Sequence, residues 1–237
     1  MSVATTSLRP GYEISRVIKG GWQLAGDHGS VDRASAVRDM EAFLDAGITT
    51  FDCADIYVGV EEMIGDFVGD LRRRRGAETA NLVQVHTKLV PDLGLLDNIQ
   101  PSDVEAIVDR SLKRLQIERL HLVQFFWWDL SLGNAQVGLE VLQRCQDKGK
   151  IAHLGVTNWD VAETQPFLNA GYDLVSTQVQ YSLLDRRAEN GLTDWAAQNR
   201  IQLLCYGTLA GGFLTERWLD APDPGFAFEN RSLVKYR

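Results

Sequence analysis

Basic residues are in the minority in this chain: 24 lysines and arginines stand against 32 aspartates and glutamates, a formal net charge of −8 with an isoelectric point near 5.0. Polyanions are held by a basic face, so nucleic acid is not an expected partner. The densest basic run, Arg72–Arg75, follows a helical stretch and has Asp70 and Glu78 as neighbours, the pattern of a solvated helix end. Cysteine is scarce as well. Cys53, Cys145 and Cys205 stand at wide, irregular spacing, which gives neither a disulfide framework nor a zinc site to expect. No apolar run is long enough to cross a membrane. The opening MSVATTSLRPGYE lacks the basic-then-apolar order of a signal peptide. A cytoplasmic protein is expected, with neither membrane nor metal as partner.

Apolar residues, by contrast, are plentiful. They make up 45% of 237 residues, enough to bury one core, and a single domain over 1–237 is expected. Short β-branched or apolar runs at Ile14–Lys19, Thr49–Cys53, Leu82–Lys88, His121–Trp127, Ile151–Val156, Leu174–Gln178 and Ile201–Tyr206 read as strands. Amphipathic stretches lie between them, among them Arg33–Ala46, Ser102–Leu115, Gly133–Lys148 and Ala188–Gln198. Ser102 with Glu105 suggests a capping box, and Gly47 and Gly149 suggest left-handed helix ends. Strict alternation of strand and helix means parallel strands joined by crossovers. An open dinucleotide-binding sheet would carry Gly-x-Gly-x-x-Gly after its first strand, and Lys19-Gly20-Gly21-Trp22-Gln23 lacks that spacing. The expected fold is therefore α/β of the (β/α)₈ barrel type, incomplete, with seven strands readable and the eighth missing. Two open sheet edges must be covered, paired or swapped, which makes a homo-oligomer a reasonable expectation.

Barrels of this kind react at the carboxyl ends of their strands. The second strand ends Phe51-Asp52-Cys53-Ala54-Asp55-Ile56-Tyr57, with Glu61 shortly after, and the third ends His86-Thr87-Lys88. The fifth runs into Gly155-Val156-Thr157-Asn158, the sixth ends at Gln178, and the seventh leads into Tyr206–Gly212. A lysine beside Tyr57 would stabilise its phenolate and draw its pKa down from about 10. Asp52 would hold Lys88 by a charge-assisted bond. The same residues suit equally well a structural ion pair capped by Tyr57.

The run Phe51–Glu61, the pair Thr87-Lys88, and the segments Gly155–Asn158, Gln178 and Tyr206–Gly212 together resemble the aldo-keto reductases, over roughly residues 14 to 215. The resemblance implies reduction of a carbonyl substrate by NADPH, with an Asp, Tyr, Lys and His tetrad in which the tyrosine gives the proton. Asp52, Tyr57 and Lys88 match three of the four. It further implies that Thr157, Asn158 and Gln178 hold the nicotinamide carboxamide, that Tyr206 stacks on its ring, and that Gly207, Thr208 and Leu209 approach the pyrophosphate. Trp22 joins this cofactor-binding set.

Two places depart from the family. The fourth strand of the family ends Leu-Val-Gln-x-His, and here Leu122-Val123-Gln124-Phe125-Phe126 puts a phenyl ring where the imidazole belongs. A missing acid–base group costs about 10²–10⁴ in rate. Of the four histidines, His121 has the wrong parity, His86 lies a layer deeper, His153 suits the core and His28 sits in the first loop. Phe126, Trp127 and Trp128 suit either an apolar substrate pocket or ordinary packing. The second departure is Phe213–Arg237, where no eighth strand and no final helix is expected, so NADPH binding should be weakened. Arg217, Arg231, Lys235 and Arg237 could replace the lost cation, although solvated charges are the simpler expectation. Three functions stay open: an impaired or atypical NADPH-dependent reductase of a small molecule, a redox-neutral dehydratase, isomerase or cyclase using Tyr57 and Lys88, and a non-catalytic binding protein.

Overall fold

The chain begins with a hairpin, not with a barrel strand. In the computed structural model, which describes residues 3–26, 28–222, 225, 228 and 231–236, Thr5–Arg9 (β1) and Tyr12–Ser15 (β2) pair antiparallel. Their turn passes through Gly11 at φ +81°, a conformation glycine takes without strain. The expected first strand, Ile14–Lys19, is thus divided. Its start belongs to the hairpin, and only Lys19–Gly20 (β3) joins the main sheet. The apolar pattern explains the division: Leu8, Tyr12 and Ile14 bury themselves against Leu122, Val175 and Leu204, closing one end of the sheet.

After β3 come Thr50–Asp52 (β4), Gln84–Leu89 (β5), Leu120–Phe125 (β6), Ile151–Thr157 (β7), Leu174–Gln180 (β8) and Gln202–Tyr206 (β9). All pair in parallel with their sequence neighbours, so β3 and β9 are the two edges. The helices between them are Arg33–Asp45 (α1), Val60–Ala80 (α2), Pro101–Leu115 (α3), Ala135–Asp147 (α4), Val161–Asn169 (α5) and Leu192–Gln198 (α6). This is the (β/α)₈ architecture with seven strands; no eighth is found among the described residues. Alternation along each strand sorts the side chains. On β6, Val123 and Phe125 enter the layer beneath the helices, and a Cβ on Gly138 of α4 would lie 2.6 Å from the Phe125 ring. Leu122 faces the other way, onto the hairpin residues.

Several local expectations are adjusted. The box at the start of α3 is built from Gln100 and Asp103, whose Oδ2 accepts from the Gln100 amide at 2.9 Å, and not from Ser102 and Glu105. Pro101 is the reason: with fixed φ and no amide hydrogen it suits the first helical position and moves the start back. Gly47 and Gly149 do take left-handed φ of +91° and +80°. The Arg72–Arg75 run ends the regular part of α2, which breaks at Gly76, and Arg74 and Arg75 pair with Glu41 and Asp45 of α1. The expected helix over 188–198 breaks at Gly191, leaving a turn at Arg187–Glu189 before α6. The tail is the largest correction, because Arg231–Tyr236 forms a short helix (α7). Leu233 is buried and anchors α7 against the Ala210–Gly212 turn. Arg237 lies outside the described residues. No helix among the described residues is long and apolar enough to cross a membrane, and Cys53, Cys145 and Cys205 are all unpaired.

Candidate active site

Parallel pairing sets Asp52 of β4 beside His86 of β5, so Lys88, two residues on, reaches across the end of β4. Its ammonium donates to Asp52 Oδ2 at 2.6 Å and to the Cys53 carbonyl at 2.9 Å. Asp52 Oδ1 accepts from the side-chain amides of Gln124 and Gln178, both at 2.8 Å. The carboxylate thus has three donors, one of them the Lys88 cation, in a mostly buried setting, the condition under which such a pair is tolerated. Burial works against the charge on Lys88, but Asp52 and Tyr57 beside it prevail and hold its pKa above the ordinary value. Lys88 Nζ lies 5.2 Å from the centre of the Tyr57 ring. Burial raises the pKa of the Tyr57 phenol, and Lys88 draws it only part of the way back. The phenol is therefore not lowered as expected: loss of water outweighs the nearby cation.

A second polar set fixes the turn that carries Tyr57. Asp55 accepts the Val90 amide at 3.0 Å and a weaker bond from Arg110 at 3.4 Å. Arg114 donates to the Asp55 carbonyl at 2.9 Å and to Glu61 at 3.3 Å, and fully buried Glu61 accepts the Thr87 hydroxyl at 2.7 Å. Burial pushes the Asp55 carboxyl up to about 7.

The strand-end aromatics divide by parity. Phe126 and Trp128 line the cavity at the barrel mouth, edge to face with ring centres 5.1 Å apart. Trp127 does not line it. It is buried against Phe125 with its indole N–H on the Leu132 carbonyl at 2.9 Å, so its place in the expected substrate pocket is withdrawn. Of the histidines, His86 is buried beneath Lys88 with Nε2 2.8 Å from the Tyr12 hydroxyl, and burial pushes its pKa down to about 3. His121 accepts the Val85 amide and His153 stacks on Tyr12. His28 alone of the four lines the cavity, with Nε2 3.0 Å from Ser232 Oγ of α7.

The cavity is also walled by Trp22, Thr157, Asn158, Gln178, Tyr206 and the loop Gly207–Leu209. The Tyr206 hydroxyl donates to Asn158 Oδ1 at 2.8 Å, and Asn158 itself stands at φ +60°. Thr157 donates to the Gln178 carbonyl at 3.2 Å. The cavity measures about 1380 Å³, because it continues into the seam between 16–20 and 202–206 on the two open edges. Among the described residues no group of three or more His, Cys, Asp or Glu could hold a metal ion. Two contributors were not foreseen. Gln124 carried a signal, since it shares the inward parity of Phe126; α7, far along the chain, carried none.

The sequence profile of the aldo/keto reductase family matches residues 16–236. The aldo-keto reductase YhdN of Bacillus subtilis is 31% identical over 208 residues, 86% of this chain and 61% of its own. The NADH-specific methylglyoxal reductase of Escherichia coli is 28% identical, over 92% of this chain and 71% of its own. Against the first three curated relatives the chain spans 61%, 56% and 57% of their lengths. Among solved structures, a glycerol dehydrogenase from Gluconobacter oxydans superposes with a TM-score of 0.75 at 27% identity, covering 93% of this chain and 67% of that one. An aldo/keto reductase from Klebsiella pneumoniae in complex with NADP and acetate gives 0.74 at 24% identity, covering 93% and 74%, and speaks for the fold. With a profile match over nearly its whole length and the strand-end residues arranged around one mouth, the chain belongs to the aldo/keto reductase family.

Proposed function

We propose that this chain is an atypical carbonyl reductase that uses NADPH and in which Tyr57 is the proton donor. The observation that carries the proposal is the placement of the Lys88 ammonium: 2.6 Å from Asp52 and 5.2 Å from the centre of the Tyr57 ring, at the strand ends. The raised phenol pKa keeps Tyr57 protonated at neutral pH, as a donor requires. When Tyr57 gives its proton to the carbonyl oxygen, Lys88 stands ready to stabilise the phenolate left behind, and Asp52 keeps Lys88 in place.

The residues present fit a dinucleotide. Gly207 and Gly211, at φ +67° and +66°, carry no side chain next to Tyr206, a form that lets another group come close to the backbone, and Tyr236 of α7 stands there in this structure. Tyr206, Asn158, Thr157 and Gln178 would hold the nicotinamide end, with Gly207, Thr208, Leu209 and Trp22 along the rest. When bound, that group supplies hydride to the carbonyl carbon. Phe126 and Trp128 offer the substrate an apolar wall in place of the imidazole of the family. That replacement favours a second reading, in which Tyr57 and Lys88 work as acid and base on a redox-neutral substrate.

Substituting Tyr57→Phe in the chain and following NADPH oxidation with a model aldehyde tests both. A loss of about 10²–10⁴ in turnover, with folding and dinucleotide binding retained, supports the first reading. Turnover unchanged by Y57F overturns the role of Tyr57, and no NADPH oxidation by the parent chain directs the search to redox-neutral substrates.

A further inference from the structure

The wall assigned to the cofactor is in contact with the chain itself. Lys235 Nζ of α7 stands 4.5 Å from the centre of the Tyr206 ring and 5.4 Å from that of Trp22. Tyr236 lies against the glycine strip: a Cβ added at Gly207 would meet its hydroxyl at 2.2 Å, and one at Gly211 would meet its ring at 2.5 Å. Ser232 binds His28 across the mouth at 3.0 Å, and buried Leu233 fixes the helix from beneath. The polar groups of this wall are turned on one another too, Tyr206 on Asn158 and Gln178 on Asp52.

From this arrangement we propose that α7 is an autoinhibitory plug, seated on the Tyr206 ring and the Gly207–Gly211 strip, which a dinucleotide must displace in order to bind. The proposal rests on the cofactor reading given above. The ring that would stack on nicotinamide is the one Lys235 lies over, and the backbone that would approach phosphates is the one under Tyr236. Both cannot be occupied twice. Among the contacts that hold the plug are buried Leu233, the His28–Ser232 bond and the Lys235 contacts with the Trp22 and Tyr206 rings. A ligand that binds only the open state shifts the helix off this wall at the cost of a reduced apparent affinity.

The alternative use of the same residue is opposite in sign: Lys235 could attract the phosphates and help binding. Measuring NADPH affinity by calorimetry on the full chain, parent against Tyr236→Ala and against Lys235→Ala, separates the two. The plug predicts that either substitution tightens binding, roughly tenfold for Y236A if the open state is a minor one of about a tenth. Hydrogen exchange gives the second readout: on adding NADPH to the parent, the amides of 231–236 should lose protection. Equal or weaker binding by both variants, or added protection of 231–236, overturns the plug and leaves the cofactor reading intact. Absence of NADPH binding at millimolar concentration in folded Y236A overturns the plug and the cofactor reading together.

Discussion

On the β4–β6 side of the mouth the polar groups are largely buried and bonded to one another: Asp52 receives Lys88, Gln124 and, from β8, Gln178, and Lys88 also reaches the Cys53 carbonyl. On the β9 side Tyr206 gives one bond to exposed Asn158, and its ring lies 4.5 Å from Lys235 of a six-residue helix. The first set lies between strands paired on both sides, and the second lies on a sheet edge. Strands held on both sides fix a charge to within a hydrogen bond. An edge lets its loop and whatever covers it rearrange. A proton donor needs the first kind of support, because a misplaced cation would no longer stabilise the phenolate. A ligand that comes and goes is better served by the second.

The sharpest way to break this contrast is to remove one partner of the buried pair. Lys88→Met leaves Asp52 with only its two amide donors, and should cost about 3–5 kcal/mol in unfolding free energy by urea titration. A cost below about 1 kcal/mol would mean that the β4–β6 side is as yielding as the other, and the contrast would fail.

A pH series sharpens the same contrast one layer down. His86 is buried neutral, with a folded pKa of about 3 against an ordinary 6.5. Between those values the unfolded chain holds more protons than the folded one, so stability is full above pH 6.5 and falls as pH falls toward 3. The parent should lose up to about 1.4 kcal/mol per pH unit through this one group, and His86→Gln should show a shallower acid slope even though Tyr12 loses its partner. Identical slopes between pH 6 and 4 would show that His86 is hydrated enough to take its proton in the folded state.

How much of this was visible in the sequence follows the same division. Asp52, Tyr57 and Lys88 could be placed because a parallel barrel puts strand ends at one mouth, and six of the seven strands lie close to where alternation put them. Parity was the rule applied to His121, and applied to the aromatics it would have separated Trp127 from Trp128. The sign of the Tyr57 shift was not legible, because burial has no sequence signature and it outweighs the visible lysine. Nor was the hairpin, whose apolar residues run straight into the first strand, or α7, whose place depends on a loop more than twenty residues earlier in the chain.

The smallest effect is expected at Tyr206. Its hydroxyl gives one bond to exposed Asn158 at 2.8 Å, and water can take its place when the hydroxyl is gone. Tyr206→Phe should therefore cost about 0.5 kcal/mol, the lower end for a single hydrogen bond, while keeping the ring on which Lys235 and the proposed nicotinamide compete. The variant isolates the hydroxyl from the ring. If stability hardly moves while NADPH affinity rises, the Asn158 amide was being held from the ligand by Tyr206. If affinity stays level, ring and helix α7 alone govern entry. A stability cost approaching that of K88M would mean that the β9 wall is as rigid as the β4–β6 wall, and a yielding cofactor side would have to be given up.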